Sequence, residues 1–336
     1  MPKRPTHHVR QVKRELALRL RDGHHRPGER FLSNRAVAER YGVSYQTAHR
    51  VLGELVAEGL LERRARSGSY VPGAPEGYAG CALIVDARAG RAASFGARLL
   101  EELRAALHAR GLDAEVVFAD GSDAPQPAED RFPIVWEVPE SVEALARARR
   151  FGLIVAQEPP PGLASLYLDS VSADDFSGGS AAAQILQGQG ARAERVCIVG
   201  GPPDDPRSAE RVRGFRSILP GARLVFACGW RRVAGEAVAG QALAAGPDGV
   251  FCCNDRLAEA VERHMRELGG RRPLIGFDDA PVAAELGLDT IAMPWEAIAA
   301  ATAEVARTRI AGHAERPRRQ IFAPRPRLRR LAMDAI

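Results

Sequence analysis

The chain has 336 residues, room for about two domains and a sizeable core. Hydrophobic residues make up 46% and charged residues 26%, which excludes a disordered chain, and no apolar run approaches membrane-spanning length. The formal charge of +5 is unevenly placed: residues 1–73 hold about 15 Lys and Arg against about 7 Asp and Glu, and the remainder is about −3. That asymmetry points to a polyanion partner for the N-terminal part. Lys3, Arg4, His7, His8, Arg10 and Lys13 interrupt the start, so no secretory leader is read and a cytoplasmic protein is expected. Cys81, Cys197, Cys228, Cys252 and Cys253 are odd in number and lack paired spacing. They read as reduced thiols, most of them in apolar runs.

Val9, Val12, Leu16 and Leu20 recur at helical spacing and predict a first helix, broken by the turn residues of 23–28. Ser33 opens a short helical run, Ala36 to Tyr41, which turns at Gly42-Val43. Ser44 is an N-cap candidate for the next helix, because its hydroxyl can accept an orphan amide proton. On that helix Ala48, Val51, Leu52 and Leu55 form one apolar stripe. Tyr45, Gln46, His49, Arg50 and Gly53 lie opposite, with no carboxylate in the first two turns. Two short runs follow, Leu60 to Arg64 and Ser69 to Val71, with Gly68 at the bend and Arg63, Arg64 and Arg66 beside the tip. Helix, turn, capped helix with a basic face, and a basic wing in uninterrupted order describe a winged helix-turn-helix. The plainer reading is a glycine-turn helix pair with a solvated arginine face.

This stretch resembles the DNA-binding domain of the GntR family of bacterial transcription factors, from about Val9 to Val71. The matching pieces are Arg26-Pro-Gly-Glu-Arg30-Phe-Leu-Ser33, Arg35-Ala-Val-Ala, Tyr41-Gly-Val-Ser44, Thr47 and the Gly68-Ser-Tyr-Val wing. Tyr45 and His49 stand where that family usually has arginines. The resemblance implies operator DNA as partner, contacted by Arg35, Ser44, Tyr45, Gln46, Thr47, His49, Arg50, Arg64, Arg66 and Gly68.

The breaker-rich stretch 72–80 reads as a linker, which sets the expected domains at 1–73, 74–80 (linker) and 81–336. From Cys81 the grammar changes. Apolar runs at 81–85, 114–118, 134–136, 153–156, 195–199, 224–226, 249–253 and 274–277 alternate with helical patterns at 95–109, 141–149, 175–187, 207–219, 235–244 and 254–268. Buried strands alternating with amphipathic helices mean parallel sheet covered on both faces. Two such blocks are visible, split near Ser170 to Asp174. The proline-rich stretches 124–127 and 159–161 read as loops.

This second part resembles the LacI/periplasmic-binding-protein-like sensor domain, over roughly Cys81 to Leu328. The run Asp174-Asp-Phe-Ser-Gly-Gly179, then Gly200-Gly-Pro, Arg211-Val-Arg-Gly-Phe215, Cys253-Asn-Asp-Arg-Leu-Ala258 and Ile275-Gly-Phe-Asp-Asp279 come in the family's order. Thr290-Ile-Ala-Met-Pro294 and the closing Pro324-Arg-Pro-Arg-Leu328 also fit. The expected fold is therefore α/β: an N-terminal winged helix-turn-helix followed by a two-lobed periplasmic-binding-protein-like domain with parallel sheets. The resemblance implies a small molecule bound between the lobes at strand C-termini, lined by Asp174, Arg211, Trp230, Asn254 and Asp278, with Phe95 as a further aromatic. Carboxylates, an amide, a guanidinium fork and an indole face suit a sugar or polyol. Taken singly, Asp174 and Asn254 would be helix caps, Asp278 the end of a strand, Trp230 core and Arg211 a solvated helix residue.

Enzyme chemistry finds no support. No lysine follows Lys13, which leaves no Schiff-base lysine or Walker-A loop. His108, His264 and His313 lack ligand spacing, and no G-x-S-x-G elbow occurs, so neither a metal nor a cofactor is expected. The expected function is a homodimeric transcriptional regulator, a repressor governed by a sugar-like effector. The alternative is a solute-binding or catalytic α/β protein carrying a helical module with no DNA role.

Overall fold

The computed structural model describes residues 5–21, 25, 28–72, 77–91, 94–120, 125, 127–148, 150–157, 167–312 and 317–329. Three helices come first: α1 (Pro5–Arg21), α2 (Asn34–Tyr41) and α3 (Tyr45–Ala57). A hairpin of β1 (Glu62–Arg64) and β2 (Gly68–Tyr70) follows, pairing Arg63 opposite Ser69. Local chemistry sets these boundaries. Ser33 Oγ accepts from Ala36 N at 3.2 Å and Ser44 Oγ from Thr47 N at 3.1 Å, satisfying two orphan helix donors. Gly42 ends α2 at φ 62, the left-handed conformation that glycine reaches without cost. Val12, Leu16 and Leu20 of α1, Val37 of α2 and the whole predicted stripe of α3 are buried. Each buried Val or Leu among them contributes about 1.5–3 kcal/mol, so the stripe holds the three helices together.

Beyond Gly80 the chain alternates. In order come β3 (Gly80–Asp86), α4 (Phe95–His108), β4 (Ala114–Ala119), β5 (Arg131–Trp136), α5 (Pro139–Ala148), β6 (Gly152–Val155) and β7 (Leu168–Ala173). Then follow α6 (Asp175–Gly188), β8 (Val196–Gly200), α7 (Pro206–Ile218), β9 (Arg223–Phe226), α8 (Arg232–Leu243), β10 (Gly249–Cys252), α9 (Asp255–Glu267) and β11 (Leu274–Asp278). The chain continues through α10 (Pro281–Glu285), β12 (Asp289–Ala292), α11 (Trp295–Ile310), β13 (Arg319–Phe322) and β14 (Arg325–Arg327). One six-stranded sheet has the order β13-β7-β6-β5-β3-β4, and a second has β14-β12-β11-β10-β8-β9. In the second sheet every neighbouring pair is parallel except β12 with β14. The expected α/β architecture with parallel sheets is what the chain adopts. Two compact units result: Met1–Arg88 with Glu101–Val171 and Ala299–Gln320, and Ala89–Leu100 with Ser172–Ile298 and Ile321–Ile336.

The differences from expectation have physical causes. β7 falls where the sequence shows only the split between the two blocks, because Asp169, Ser170 and Ser172 break its apolar run although all three are buried. Asp169 is neutralised by Arg309, whose Nε and Nη2 donate at 2.9 and 3.0 Å. α11 escaped because its alanines give little amphipathic contrast, and β12, β13 and β14 are too short to stand out. Residues 73–76 of the expected linker, 121–124 and 126 of one proline-rich loop and 158–166 of the other lie outside the described residues. Cys81, Cys197, Cys252 and Cys253 are buried, while Cys228 is exposed. Among the described residues no helix is long and apolar enough to cross a membrane.

In the second unit, α6 and α7 pack with almost no side chain between them. A Cβ on Gly179 would overlap the Arg211 carbonyl, and one on Gly214 would overlap the Phe176 carbonyl. This contact holds the start of α6 and the middle of α7 in fixed relation.

Candidate functional site

The polar face of α3 is open. Tyr45 is 53% exposed, and Gln46, His49 and Arg50 are exposed beside it. Asn34 Nδ2 donates to the Tyr45 hydroxyl at 3.3 Å, which ties the phenol to the start of α2. Ser44 and Thr47 are bound to each other through their hydroxyls at 2.9 Å, so both serve the helix cap. Arg50 lies 3.9 Å from Glu54, a carboxylate already held by Lys13 at 2.9 Å. On the wing, Arg64 pairs with Glu62 at 2.7 Å and its guanidinium lies 4.3 Å from the Tyr70 ring centroid. Arg66 stands at the tip with φ 60 and Gly68 with φ 117; Arg35 on α2 is exposed. Arg30, not among the expected DNA contacts, bridges to Tyr70 of the wing and approaches Gly68.

The second group of candidate residues gathers at the carboxyl ends of the second sheet, where open α/β sheets place their ligands. Arg211 of α7 is its hub, only 2% exposed. Its Nε donates to Asp175 at 2.7 Å, and Nη1 donates to the Cys253 carbonyl at 2.6 Å and to Asp278 at 3.2 Å. The Phe277 ring lies 3.8 Å from the guanidinium carbon. Asp278 ends β11 at φ 102 and Asp279 follows at φ 56, two consecutive non-glycine residues in the left-handed half of backbone space. Burial raises the Asp278 carboxyl more than Arg211 lowers it, leaving it at about 7. Beneath it Asp255 is fully buried, accepting from Ala280 N and Thr290 Oγ1, both at 2.6 Å. Burial, then the charge of Asp278, pushes Asp255 well above the usual carboxylate range.

Aromatic groups line the same end of the lobe. Trp230 donates from Nε1 to Asp205 at 2.9 Å and lies against Gly201, where any Cβ would strike the indole. Asn254 caps α9 through Leu257 N at 2.8 Å and donates to the Trp230 carbonyl at 2.9 Å. Phe95 meets Trp295 edge-to-face at 4.5 Å between centroids. Arg207 stands 5.8 Å from the Phe95 ring and 5.6 Å from the Trp230 ring, held by Asp205 at 2.9 Å. Although burial disfavours its charge, hydrogen bonding to Arg207 brings the Asp205 carboxyl down to about 2.

Set against these observations, residues 8–71 match the model of the gntR family of bacterial regulatory proteins, and residues 136–312 match the periplasmic binding protein domain. The chain belongs to the periplasmic binding protein domain family, joined to a gntR-type winged helix. A search of the curated proteins by sequence finds no match. Among solved structures, the transcriptional regulator CelR bound to cellobiose is 23% identical, covering 97% of this chain and 99% of its own, with a TM-score of 0.65. A LacI-family regulator from Enterococcus faecium with bound ribose is 20% identical over 74% of this chain and 97% of its own, TM-score 0.62. The transcription regulator GntR from Chromobacterium violaceum is 21% identical over 74% and 98%, TM-score 0.60. These likenesses show the fold. The chain is a transcriptional regulator of this two-family type.

Within this binding-protein domain, the predicted Arg211, Asp278, Trp230 and Asn254 come together around strands β8, β10 and β11. Asp174 does not join them: its Oδ1 accepts from Ser177 N at 2.9 Å and its Oδ2 from Ser177 Oγ at 2.5 Å, closing the α6 cap. The neighbouring Asp175 meets Arg211 instead. Sequence reading missed Asp175, Asp205, Arg207 and Trp295. The doubled Asp174-Asp175 and the i, i+4 spacing of Arg207 with Arg211 were the available signals. No group of His, Cys, Asp and Glu suited to a metal ion occurs among the described residues.

Proposed function

We propose that this regulator is a repressor whose hold on operator DNA is governed by a small, sugar-like effector bound at the strand ends of the second lobe. The observation that carries the reading is the Arg211 hub. A guanidinium fixed by Asp175 and Asp278 beside the indole of Trp230 offers directed donors, acceptors and an apolar face, the set a polyol needs. The structural relatives bound to ribose and cellobiose support the same chemistry. Arg211, Asp278, Trp230 and Phe95 would contact the effector, Asn254 would position the indole, and Asp174 would hold the α6 entry. Tyr45, Gln46 and His49 would meet base edges, while Arg35, Arg50, Arg64 and Arg66 would meet phosphate. Ser44, Thr47 and Gly68 would set the geometry that presents them. Residues 1–73 would act as the DNA-binding domain, 74–80 as linker and 81–336 as the effector domain, with two chains gripping two half-sites.

Two measurements test this. Footprinting upstream of the protein's own operon should give a two-fold symmetric site. A thermal-shift screen of sugars and polyols should find a stabilising ligand that alters that footprint. A ligand that stabilises the protein without changing operator occupancy would leave a binding protein and remove the regulatory reading.

A further inference from the structure

A cavity of about 590 Å³ opens beside β14 and the start of α11 in the second unit. Arg211, Trp230 and Asn254 lie outside its lining, so it is not the effector site described above. Its charged lining is Arg98, Arg325 and Arg327 against Asp279 and Glu296. Asp279 is met by two arginines, Arg329 at 2.5 Å and Arg327 at 3.4 Å. Arg98 is half-buried and donates to the neutral carbonyl of Asp279 at 3.0 Å, with no carboxylate to pair with among the described residues. Arg325 is exposed at the rim, as is Glu296. Arg98, Arg325, Arg327 and Arg329 set against Asp279 and Glu296 leave a surplus of two positive charges. The neighbouring Arg211 cluster does not cancel it. There Arg207 pairs with Asp205, Arg211 is shared by Asp175 and Asp278, and Asp255 is pushed toward its neutral form. At most one negative charge is in excess in that cluster. The apolar side of the cavity is made by Met293, Trp295 and Phe322.

We propose that this cavity is a second ligand site, for a phosphate monoester carried on a ring. Such an ester holds a charge of about −1.5 to −2 near neutral pH, which matches the surplus. Its oxygens are the acceptors that guanidinium forks bind in pairs. A carboxylate brings a single charge and leaves half of the surplus standing. Bare phosphate matches the arginines but makes no use of the apolar side, which suits a ring. The site goes beyond the effector reading and does not depend on it, because the two sets of contacting residues are separate.

The test is isothermal titration of the full chain with D-glucose 6-phosphate and adenosine monophosphate, beside D-glucose, adenosine, inorganic phosphate and D-gluconate. One ester is expected to bind at least about tenfold more tightly than its neutral parent, inorganic phosphate and gluconate, and which ester does so identifies the ring. Arg325→Glu cancels the surplus and should abolish that preference. Glu296→Gln enlarges the surplus and should tighten the ester severalfold, a gain that a merely structural role does not produce. Both positions are exposed, and thermal melts confirm that both variants fold. Arg211→Ala and Arg50→Glu should leave ester binding at the wild-type value. Loss in Arg211→Ala would move the phosphate into the effector site, and loss in Arg50→Glu would move it onto the winged helix; either result overturns a second site. Esters that bind no better than their parents, or that bind the Arg325 and Glu296 variants like the wild type, overturn it as well. The sugar and polyol screen judges the effector reading separately, so neither failure stands in for the other.

Discussion

Asp278 combines a strained backbone, a buried carboxyl and a hydrogen-bonded guanidinium that it shares with Asp175, and its stability effect has a definite sign. The unfolded carboxyl ionises near 3.8 and the folded one at about 7. Below 3.8 both states are protonated and the native state loses nothing. As pH rises through 7 the native state must ionise a buried group that the unfolded chain ionised long before. At about 1.4 kcal/mol per pH unit of separation, the loss reaches a few kcal/mol above neutrality. Asp278→Asn is therefore expected to raise the melting temperature more at pH 8 than at pH 5; equal effects at both would remove the assignment. Trp230→Phe should eliminate most of any ligand-induced fluorescence change. Trp295 is no neutral control because its ring packs on Phe95, which leaves Trp136 of β5 for that purpose. At this scale the sequence was only half legible. Asn254 is both a cap and the hydrogen-bond support of Trp230, whereas Asp174 is a cap and Asp175 the partner of Arg211. A carboxylate's direction depends on which side of a helix start it falls, and adjacent aspartates carry no mark of that.

Among the elements, α3 and the wing were the most readable, because capping serines, a left-handed glycine and a four-residue apolar stripe are all local signals. Ser44→Ala removes the acceptor of the Thr47 amide and is expected to cost about 1 kcal/mol in thermal or urea unfolding. DNA binding measured across salt should separate the two arginines. Arg64→Ala should shallow the slope of log affinity against log salt by about one unit, provided phosphate draws Arg64 from Glu62. Arg50→Ala should do the same or less, since Glu54 stands within 3.9 Å. Unchanged slopes in both would remove the docking of α3 and the wing on DNA. Elements whose order comes from distant partners were less legible. β7 is stabilised by Arg309, 140 residues further along the chain, and no window of sequence around Asp169 contains that arginine.

For the whole molecule, the prediction concerns coupling. Arg211→Ala or Asp278→Ala should weaken effector binding at least tens-fold, while operator affinity without effector stays at the wild-type value. An effector can shift operator binding only as far as it discriminates between conformations. An inducible repressor altered at either residue should thus remain on its operator at effector concentrations that release the wild type. If the effector is a corepressor, the same variants should fail to bind DNA with ligand present. Wild-type concentration dependence in both variants would place the effector elsewhere. The two-part architecture itself was plain from the sequence, since strand-helix alternation after a basic helical head persists over hundreds of residues and survives local ambiguity.

The near-contact of α6 and α7 at Gly179 and Gly214 has a bearing on how such a protein can change. Every replacement at either position adds at least a Cβ where a neighbouring carbonyl already stands. A saturation-mutagenesis map should therefore show two empty columns there, with only synonymous codons surviving. Lineages that acquire a new effector would have to do so by exchanging side chains such as Arg207, Asp205 or Phe95, because the spacing of the two helices that carry Asp175 and Arg211 offers selection nothing to adjust.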